Sequence, residues 1–332
     1  MVQWGMPDPI LVTGGAGFVG PYLIAALEKR GSRVVALGHP PERLSGCEWP
    51  PAVSPEWRAL DLVDRTAVDH LIAEVRPAAI YHLAALSSVA ASFEDPVPTY
   101  QTNVMGTLHL LDAVRRHAPG CRVLLVSSAE VYGGVSSPLT EQSPFYPANP
   151  YAASKVASEM IGVEHFRAHG MPIIRARAFN HTGPGQTPRF VVSSFAKQIA
   201  QIEAARQAPV LGVGNLSARR DFLDVRDVVE AYVALVEKGE PGAAYNVASG
   251  KAIAMQSLLD GLLAHAKVGI EVEIDPALLR PVDVPELVGS HDALTAATGW
   301  APRIGIEQTL EDVLDYWRMR VPFLGEPATS FA

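Results

Sequence analysis

Tyr151 and Lys155 stand four residues apart in Tyr151-Ala152-Ala153-Ser154-Lys155, opening an apolar-periodic segment that the spacing predicts to be helical to about residue 168. Pro147 and Pro150 precede it, and Asn149 is placed to cap it. On a helix, positions i and i+4 share a face, so the phenol and the ammonium look into one space. A neighbouring cation favours the phenolate and lowers the proton affinity of a phenol whose unperturbed pKa is about 10. Such a pair can trade a proton with an alcohol or a carbonyl near neutral pH. The same spacing also describes a half-buried ring beside a solvated lysine, so the rest of the chain has to decide.

The first element that could position this pair is Ile10-Leu11-Val12, a short apolar run ending in Thr13-Gly14-Gly15-Ala16-Gly17-Phe18-Val19-Gly20. Leu23, Ile24, Ala26 and Leu27 then follow at helical spacing as far as Gly31. Strand, glycine turn and helix together favour a dinucleotide cradle over a merely structural turn: Gly14, Gly17, Phe18 and Val19 would bring backbone N–H groups to a pyrophosphate at a helix N-terminus. Pro21 is tolerable there, because early helical N–H groups lack intrahelical acceptors. A second strand at 33–37 runs into Gly38-His39-Pro40-Pro41-Glu42-Arg43. No carboxylate stands where one would take the ribose of NAD. His39 and Arg43 can instead meet a 2′-phosphate, which favours NADP(H), while nearby Glu42 leaves NAD(H) open.

Further strands are predicted at 57–60, 79–85, 123–126 and 173–179, with helices at 63–76 and 99–117 between them. This alternation predicts a Rossmann-like, doubly wound parallel sheet with helices on both faces. Beyond Asn180 the pattern is mixed: a Gly/Pro-rich stretch, a helix at 190–205, a short strand at Val210-Leu211, and a helix at 228–236. The expected organisation is a dinucleotide-binding domain at 1–179, joined again by about 218–255, and a smaller mixed α/β substrate-binding lobe at 180–217 and 256–332.

The totals narrow the function classes. The 332 residues suffice for a large core, and 48% hydrophobic with 19% charged residues is a soluble composition. A net charge of −8 offers no basic footprint for nucleic acid or an anionic membrane. Two cysteines, Cys47 and Cys121, cannot build a disulfide framework or a metal cluster. Glu164, His165 and His169 show no ligand spacing, and no metal is expected. Neither a signal peptide nor a membrane span is read, so the expectation is a cytoplasmic protein.

With the glycine turn, His82-Leu83-Ala84-Ala85, Ser127-Ser128-Ala129-Glu130-Val131-Tyr132-Gly133, Tyr151-x-x-x-Lys155 and Arg220-Asp221-Phe222 in this order, the chain resembles an extended short-chain dehydrogenase/reductase of the nucleotide-sugar epimerase/dehydratase group. The resemblance covers about 10–318. Within the group it is similar to GDP-4-oxo-6-deoxy-D-mannose reductases, which make GDP-D-rhamnose, in Asn180-His181-Thr182-Gly183-Pro184-Gly185-Gln186, Gly214-Asn215-Leu216, Leu279-Arg280-Pro281 and Gly299-Trp300-x-Pro302.

The resemblance implies an NAD(P)H-dependent oxidoreductase acting on a GDP-sugar. Tyr151 is then the acid/base, Lys155 lowers its pKa and holds the nicotinamide ribose, and Ser128 bonds the reacting oxygen. Asp61 and Leu62 border the adenine, and Ala84 and Ala85 leave room for the cofactor. Ser87, Asn180 and Val191 fall on the substrate side. Lys197, Arg220 and Arg280 match phosphate-facing positions, although a lone Lys or Arg is more often a surface charge. Glu286 would reach the ribose or guanine. Glu130 stands where 4,6-dehydratases keep a catalytic glutamate, which makes GDP-mannose 4,6-dehydratase the first alternative. Ser128 in place of the dehydratases' threonine, together with the His-Thr-Gly-Pro-Gly-Gln loop, favours the reductase. A nucleotide-sugar 4-epimerase and a non-catalytic redox-sensing regulator follow. Helices 99–117 and 151–168 would form a four-helix interface in a homodimer.

Overall fold

The computed structural model describes residues 9–39, 51–134, 138–278 and 284–324. Short apolar runs buried on both faces can pair only as interior strands of a helix-covered parallel sheet, and the first half of the chain is built from them. It runs β1 (Ile10–Thr13), α1 (Gly20–Lys29), β2 (Val34–Leu37), β3 (Glu56–Arg58), α2 (Arg65–Val75) and β4 (Ala79–His82). Next come α3 (Val89–Glu94), α4 (Pro96–Tyr100), α5 (Gly106–His117), β5 (Arg122–Ser128), α6 (Pro150–His169) and β6 (Ile173–Ala178). The second half adds β7 (Asn180–Thr182), α7 (Val191–Glu203), β8 (Val210–Val213), β9 (Arg219–Asp224), α8 (Val225–Lys238) and β10 (Ala244–Val247). It ends with β11 (Ala252–Ala254), α9 (Met255–Leu263), β12 (Glu271–Ile274), β13 (Glu286–Leu287), α10 (Asp292–Thr298) and α11 (Ile306–Arg320).

Seven strands form one sheet in the order β10-β6-β5-β4-β1-β2-β3, all parallel. The winding reverses between β1 and β4, so the loops leaving their carboxyl ends part and open a crevice, the usual ligand site of such sheets. The doubly wound fold expected from the sequence is the one found. Its seventh strand, β10, was not foreseen: only four residues long, it follows a helix and a turn that carry the chain back to β6.

Two features depart from expectation. The fourth strand stops at His82, which leaves Ala84 and Ala85 in the following loop. The single helix expected at 99–117 is α4, one π-helical turn over Gln101–Met105, and then α5. Such a turn carries one residue too many for regular winding and is frequent at functional sites; here it places a buried asparagine, Asn103.

A second, smaller sheet joins β11 (antiparallel), β13 and β7 (both parallel) to β9. α7, α9 and α11 pack with β8 and β9 around a separate apolar core that includes Phe195, Ile199, Leu258, Val313 and Trp317. Among the described residues no helix is long and apolar enough to cross a membrane.

Candidate active site

Ser128 closes the carboxyl end of β5, and α6, which carries Tyr151 and Lys155, packs against β5 and β6. α6 begins as its sequence prescribes: Asn149 Oδ1 accepts the Ala152 N–H at 2.7 Å, a regular N-cap, with Pro150 in the first turn. The Ser92 hydroxyl accepts the Tyr151 N–H at 3.3 Å, satisfying another donor that helix winding leaves open. The start of the helix is thereby pinned from two sides, and Tyr151 and Lys155 lie on its buried face, 9% and 5% exposed.

Ser128 ends β5, and its side chain lies near enough to the Tyr151 phenol to favour the charged form. The Ser128 hydroxyl also accepts the Glu130 N–H at 3.2 Å. The Glu130 charge reaches the phenol, and its carboxylate accepts from Asn149 Nδ2 at 3.1 Å.

The electrostatics correct one expectation. Burial pushes the Tyr151 phenol up to about 12, the Glu130 carboxylate adds to the rise, and the Ser128 side chain opposes it. Lys155 does not bring it below the ordinary value of a phenol; burial pulls the Lys155 ammonium itself down to about 8, against the pull of Glu159. Desolvation of two buried groups outweighs their mutual help. The phenol is therefore a proton donor throughout the neutral range, and the lysine is the group that titrates.

The glycine turn is built for close approach. Gly14 has φ +70°, and a Cβ there would lie 2.8 Å from the backbone nitrogen of Ala84, so the β1 turn and the β4 loop touch through a glycine only. Gly17 N–H donates to the Gly14 carbonyl at 3.0 Å, closing the turn. The N–H groups of Phe18 and Val19 make no hydrogen bond among the described residues. Two unspent donors at the start of α1, above the sheet's switch point, fit the diphosphate of a dinucleotide.

The sequence pattern of the family described as GDP-mannose 4,6 dehydratase matches residues 11–313. The chain belongs to the GDP-mannose 4,6 dehydratase family. This bears out the resemblance to extended short-chain dehydrogenases/reductases read from the motifs. The chain is 39% identical over 319 residues to the GDP-6-deoxy-D-mannose reductase of Pseudomonas aeruginosa, covering 95% of this chain and 99% of that one. It is 31% identical over 263 residues to GDP-mannose 4,6 dehydratase 1 of Arabidopsis thaliana, over 77% and 72% of the two chains. Its fold matches the structure of RMD from Pseudomonas aeruginosa complexed with NADPH with a TM-score of 0.81 at 37% identity, covering 95% and 100%.

The remaining candidates in this GDP-mannose 4,6 dehydratase family member are distributed unevenly. Asp61 is exposed and accepts the Val63 N–H at 2.9 Å, while Leu62 is buried in the core. His39 is exposed at the end of β2, and Arg43 lies outside the described residues, as does Arg280. Asn180 pairs with Phe222, so β7 runs beside the strand that carries Arg220. Arg220 is buried, with Nη1 donating to the Arg219 carbonyl. Glu286 receives Arg219 Nε at 3.0 Å on the neighbouring strand. Ser87 is exposed in the loop after β4, and Val191 is half-buried at the start of α7. The ammonium of Lys197 lies 5.9 Å from the centre of the Trp317 ring, on the flank of α7 that packs against α11. That cation–π contact is a structural use for the charge.

Sequence reading missed Asn103. Its Oδ1 accepts the Leu86 N–H at 2.8 Å, and its Nδ2 donates to the Leu86 carbonyl at 3.1 Å and to Ser154 Oγ at 2.9 Å. It thereby bolts the loop carrying Ala84, Ala85 and Ser87 to the second turn of α6. The carbonyl of Asn103 accepts the hydroxyls of Thr107 and Ser158. His82 continues the chain of contacts between Thr107 and Thr13, and burial, with Lys155 adding to it, pulls the imidazole down to about 3. The imidazole is neutral, an orienting group and not an acid. The one sequence signal for Asn103 was an amide on an otherwise apolar helical face.

Proposed function

We propose that the chain reduces the 4-oxo group of GDP-4-oxo-6-deoxy-D-mannose to give GDP-D-rhamnose, using NADP(H) in preference to NAD(H). The observation that carries this reading is the buried, protonated Tyr151 phenol at the head of α6, with Ser128 acting on it from the end of β5, since carbonyl reduction needs an acid at the oxygen. The P. aeruginosa reductase relative and the NADPH named with its structural neighbour support it. When bound, a reduced nicotinamide supplies the hydride such a reduction consumes, leaving the oxidised cofactor. Ser128 and Tyr151 hold the ketone oxygen through hydrogen bonds that strengthen as negative charge develops there. Tyr151 then passes its proton to that oxygen, completing the alcohol. The Lys155 ammonium steadies the phenolate left behind and is placed to hold the cofactor ribose. Phe18 and Val19 N–H groups take the diphosphate, with Asp61, Leu62, Ala84 and Ala85 along the cofactor. Asn180, Arg220 and Glu286 take the sugar nucleotide.

Glu130 favours a second reading, GDP-mannose 4,6-dehydratase, because it adds a carboxylate whose charge reaches the phenol. Incubation with GDP-mannose alone, then with GDP-4-oxo-6-deoxymannose plus NADPH, separates the two. Loss of NADPH absorbance with a reduced GDP-deoxyhexose supports the reductase. Conversion of GDP-mannose alone to a 4-oxo sugar transfers the assignment to the dehydratase.

The reading extends to a cytoplasmic homodimer. Phe93, Val97, Tyr100, Met105 and Met160 are exposed apolar residues on and around α3 to α6, which a second copy would cover through a four-helix interface. The two-part division into a dinucleotide-binding domain and a substrate lobe is supported by the separate apolar core of the smaller part. α8 and β10 return to the large sheet, whereas β9 and β11 pair in the small one.

Lys155 makes the reaction pH-dependent. It carries its proton below about pH 8 and loses it above. Initial rates of reduction are expected to fall on the alkaline side with a midpoint near that value. Because the unfolded lysine titrates near about 10.4, the folded group binds fewer protons between the two values, and this residue favours folding more as pH rises through that window. A rate that falls while this residue's contribution to stability rises is the expected pairing, seen as an alkaline loss of activity with no fall in the unfolding midpoint from this group; a flat rate to pH 10 would refute it.

A further inference from the structure

We propose that Glu159, clamped by Arg175 and Arg177, is a positioning residue whose carboxylate keeps the Lys155 ammonium charged beside the phenol. This rests on the reductase reading above and extends it to a group that does not touch substrate. Tyr151, Lys155 and Glu159 fall at i, i+4 and i+8 of α6, on one buried face, and Glu159 is 0% exposed. Its two oxygens receive Arg177 Nε at 3.1 and 3.2 Å, and Arg177 Nη2 donates to Oε2 at 3.0 Å. Arg175 Nη1 reaches Oε2 at 3.4 Å.

Arg177 is itself fixed. Its Nη1 donates to the Tyr132 hydroxyl at 2.8 Å and to the Glu141 carbonyl at 3.1 Å, and its guanidinium lies over the Phe145 ring, 4.6 Å from the centre. Tyr132 in turn donates to Asn246 Oδ1 at 2.7 Å, and the Glu141 carboxylate accepts the Asn246 N–H. A carboxylate locked in this way cannot swing to follow a substrate; it presents a constant field to the next turn of the helix.

The other groups around Lys155 do not supply that field. His82, from β4, is neutral. Tyr151 keeps its proton, and Glu130 in the turn after β5 acts on Tyr151. The π-helical turn and the start of α5 offer Asn103 and Thr107, both uncharged. The charges farther along α5 are engaged with α2, as Asp112 with Arg65 and His117 with Asp69. Glu94 on α3 is exposed, and Arg122 at the far end of β5 binds carbonyls of Val236 and Gly239. Glu159 is the anion that favours a charged Lys155, opposing the burial that disfavours it. Arg175 and Arg177 set how much of its charge remains to do so.

The sequence has six lysines, so a titration of protein labelled with ¹³C at lysine Cε resolves Lys155, assigned by its loss in Lys155→Arg. No substrate is needed, so an unmoved midpoint is a failure of this inference and not of the reductase reading, which the product assay judges by itself. Glu159→Gln leaves two guanidiniums facing the lysine, and its midpoint is expected to drop by about 1–3 pH units. Arg175→Gln, at a side chain 13% exposed and more readily replaced, strips a cation from the pair and moves the midpoint up. The alkaline limb of the reduction rate should move with each. Should Glu159→Gln fail to fold, the direction of Arg175→Gln decides alone. Midpoints that stay within error of the parent in the folded variants, or a limb that ignores a shifted midpoint, would overturn the proposal.

Discussion

Tyr151→Phe turns over substrate about 10²–10⁴-fold more slowly than the parent protein, while its affinity for NADPH and for the GDP-sugar stays within a few-fold. The ring is buried at the head of α6, and phenylalanine fills the same volume, so packing is kept. What is lost is the donor at the ketone oxygen. Ser128 remains and still donates, which is why residual activity is expected instead of none. The loss should appear in kcat and not in KM, since the missing interaction strengthens only as charge develops. Steady-state kinetics with a calorimetric titration of NADPH checks both halves. Turnover within threefold of the parent would remove the phenol from the mechanism. A comparable loss of nucleotide affinity would mean that the ring shapes the cofactor site instead.

Arg177→Met destabilises the fold by about 3–5 kcal/mol, the usual cost of breaking a buried pair and leaving one charge behind. Glu159 would be left buried, with only the more distant Arg175 at 3.4 Å to answer it. Tyr132 and the Glu141 carbonyl would lose their donor as well. Methionine recovers some apolar contact with Phe145, but no hydrogen bond. Urea unfolding followed by tryptophan fluorescence gives the measurement, read as a lowered midpoint at unchanged slope. A loss under 1 kcal/mol would show that the cluster is solvated enough to dispense with the guanidinium. The segment 138–146 is expected to become the most protease-sensitive part of the variant, because Arg177 and Asn246 tie it to the sheet.

The glycine turn after β1 and the helix behind it were legible in the sequence, for a local reason. A glycine that must hold φ +70° and a helix that starts right after it are written within eight residues. The N-cap of α6 was equally local: Asn149, Pro150 and the spacing of Tyr151 and Lys155 need no distant partner to make sense. Arg220 and Lys197 were indistinguishable by type, each a cation in a substrate-lobe segment. Only packing buried the first beside β7 and laid the second over Trp317. Asn103 stayed hidden because its partners, Leu86 and Ser154, lie 17 and 51 residues away and a π-helical turn leaves no periodic mark.

The sequence by itself determined which groups could exchange a proton and that a dinucleotide could sit against them. Residue types and short spacings carry that information. The tertiary structure decided the state in which those groups wait. Spacing placed a cation near a phenol and implied a lowered proton affinity, but burial acts on both groups at once and raises the phenol to about 12 while lowering the lysine to about 8. Desolvation depends on every atom that excludes water from the helix face, and that quantity is spread over β4, β5, β6 and the Glu159 cluster instead of over any stretch of sequence.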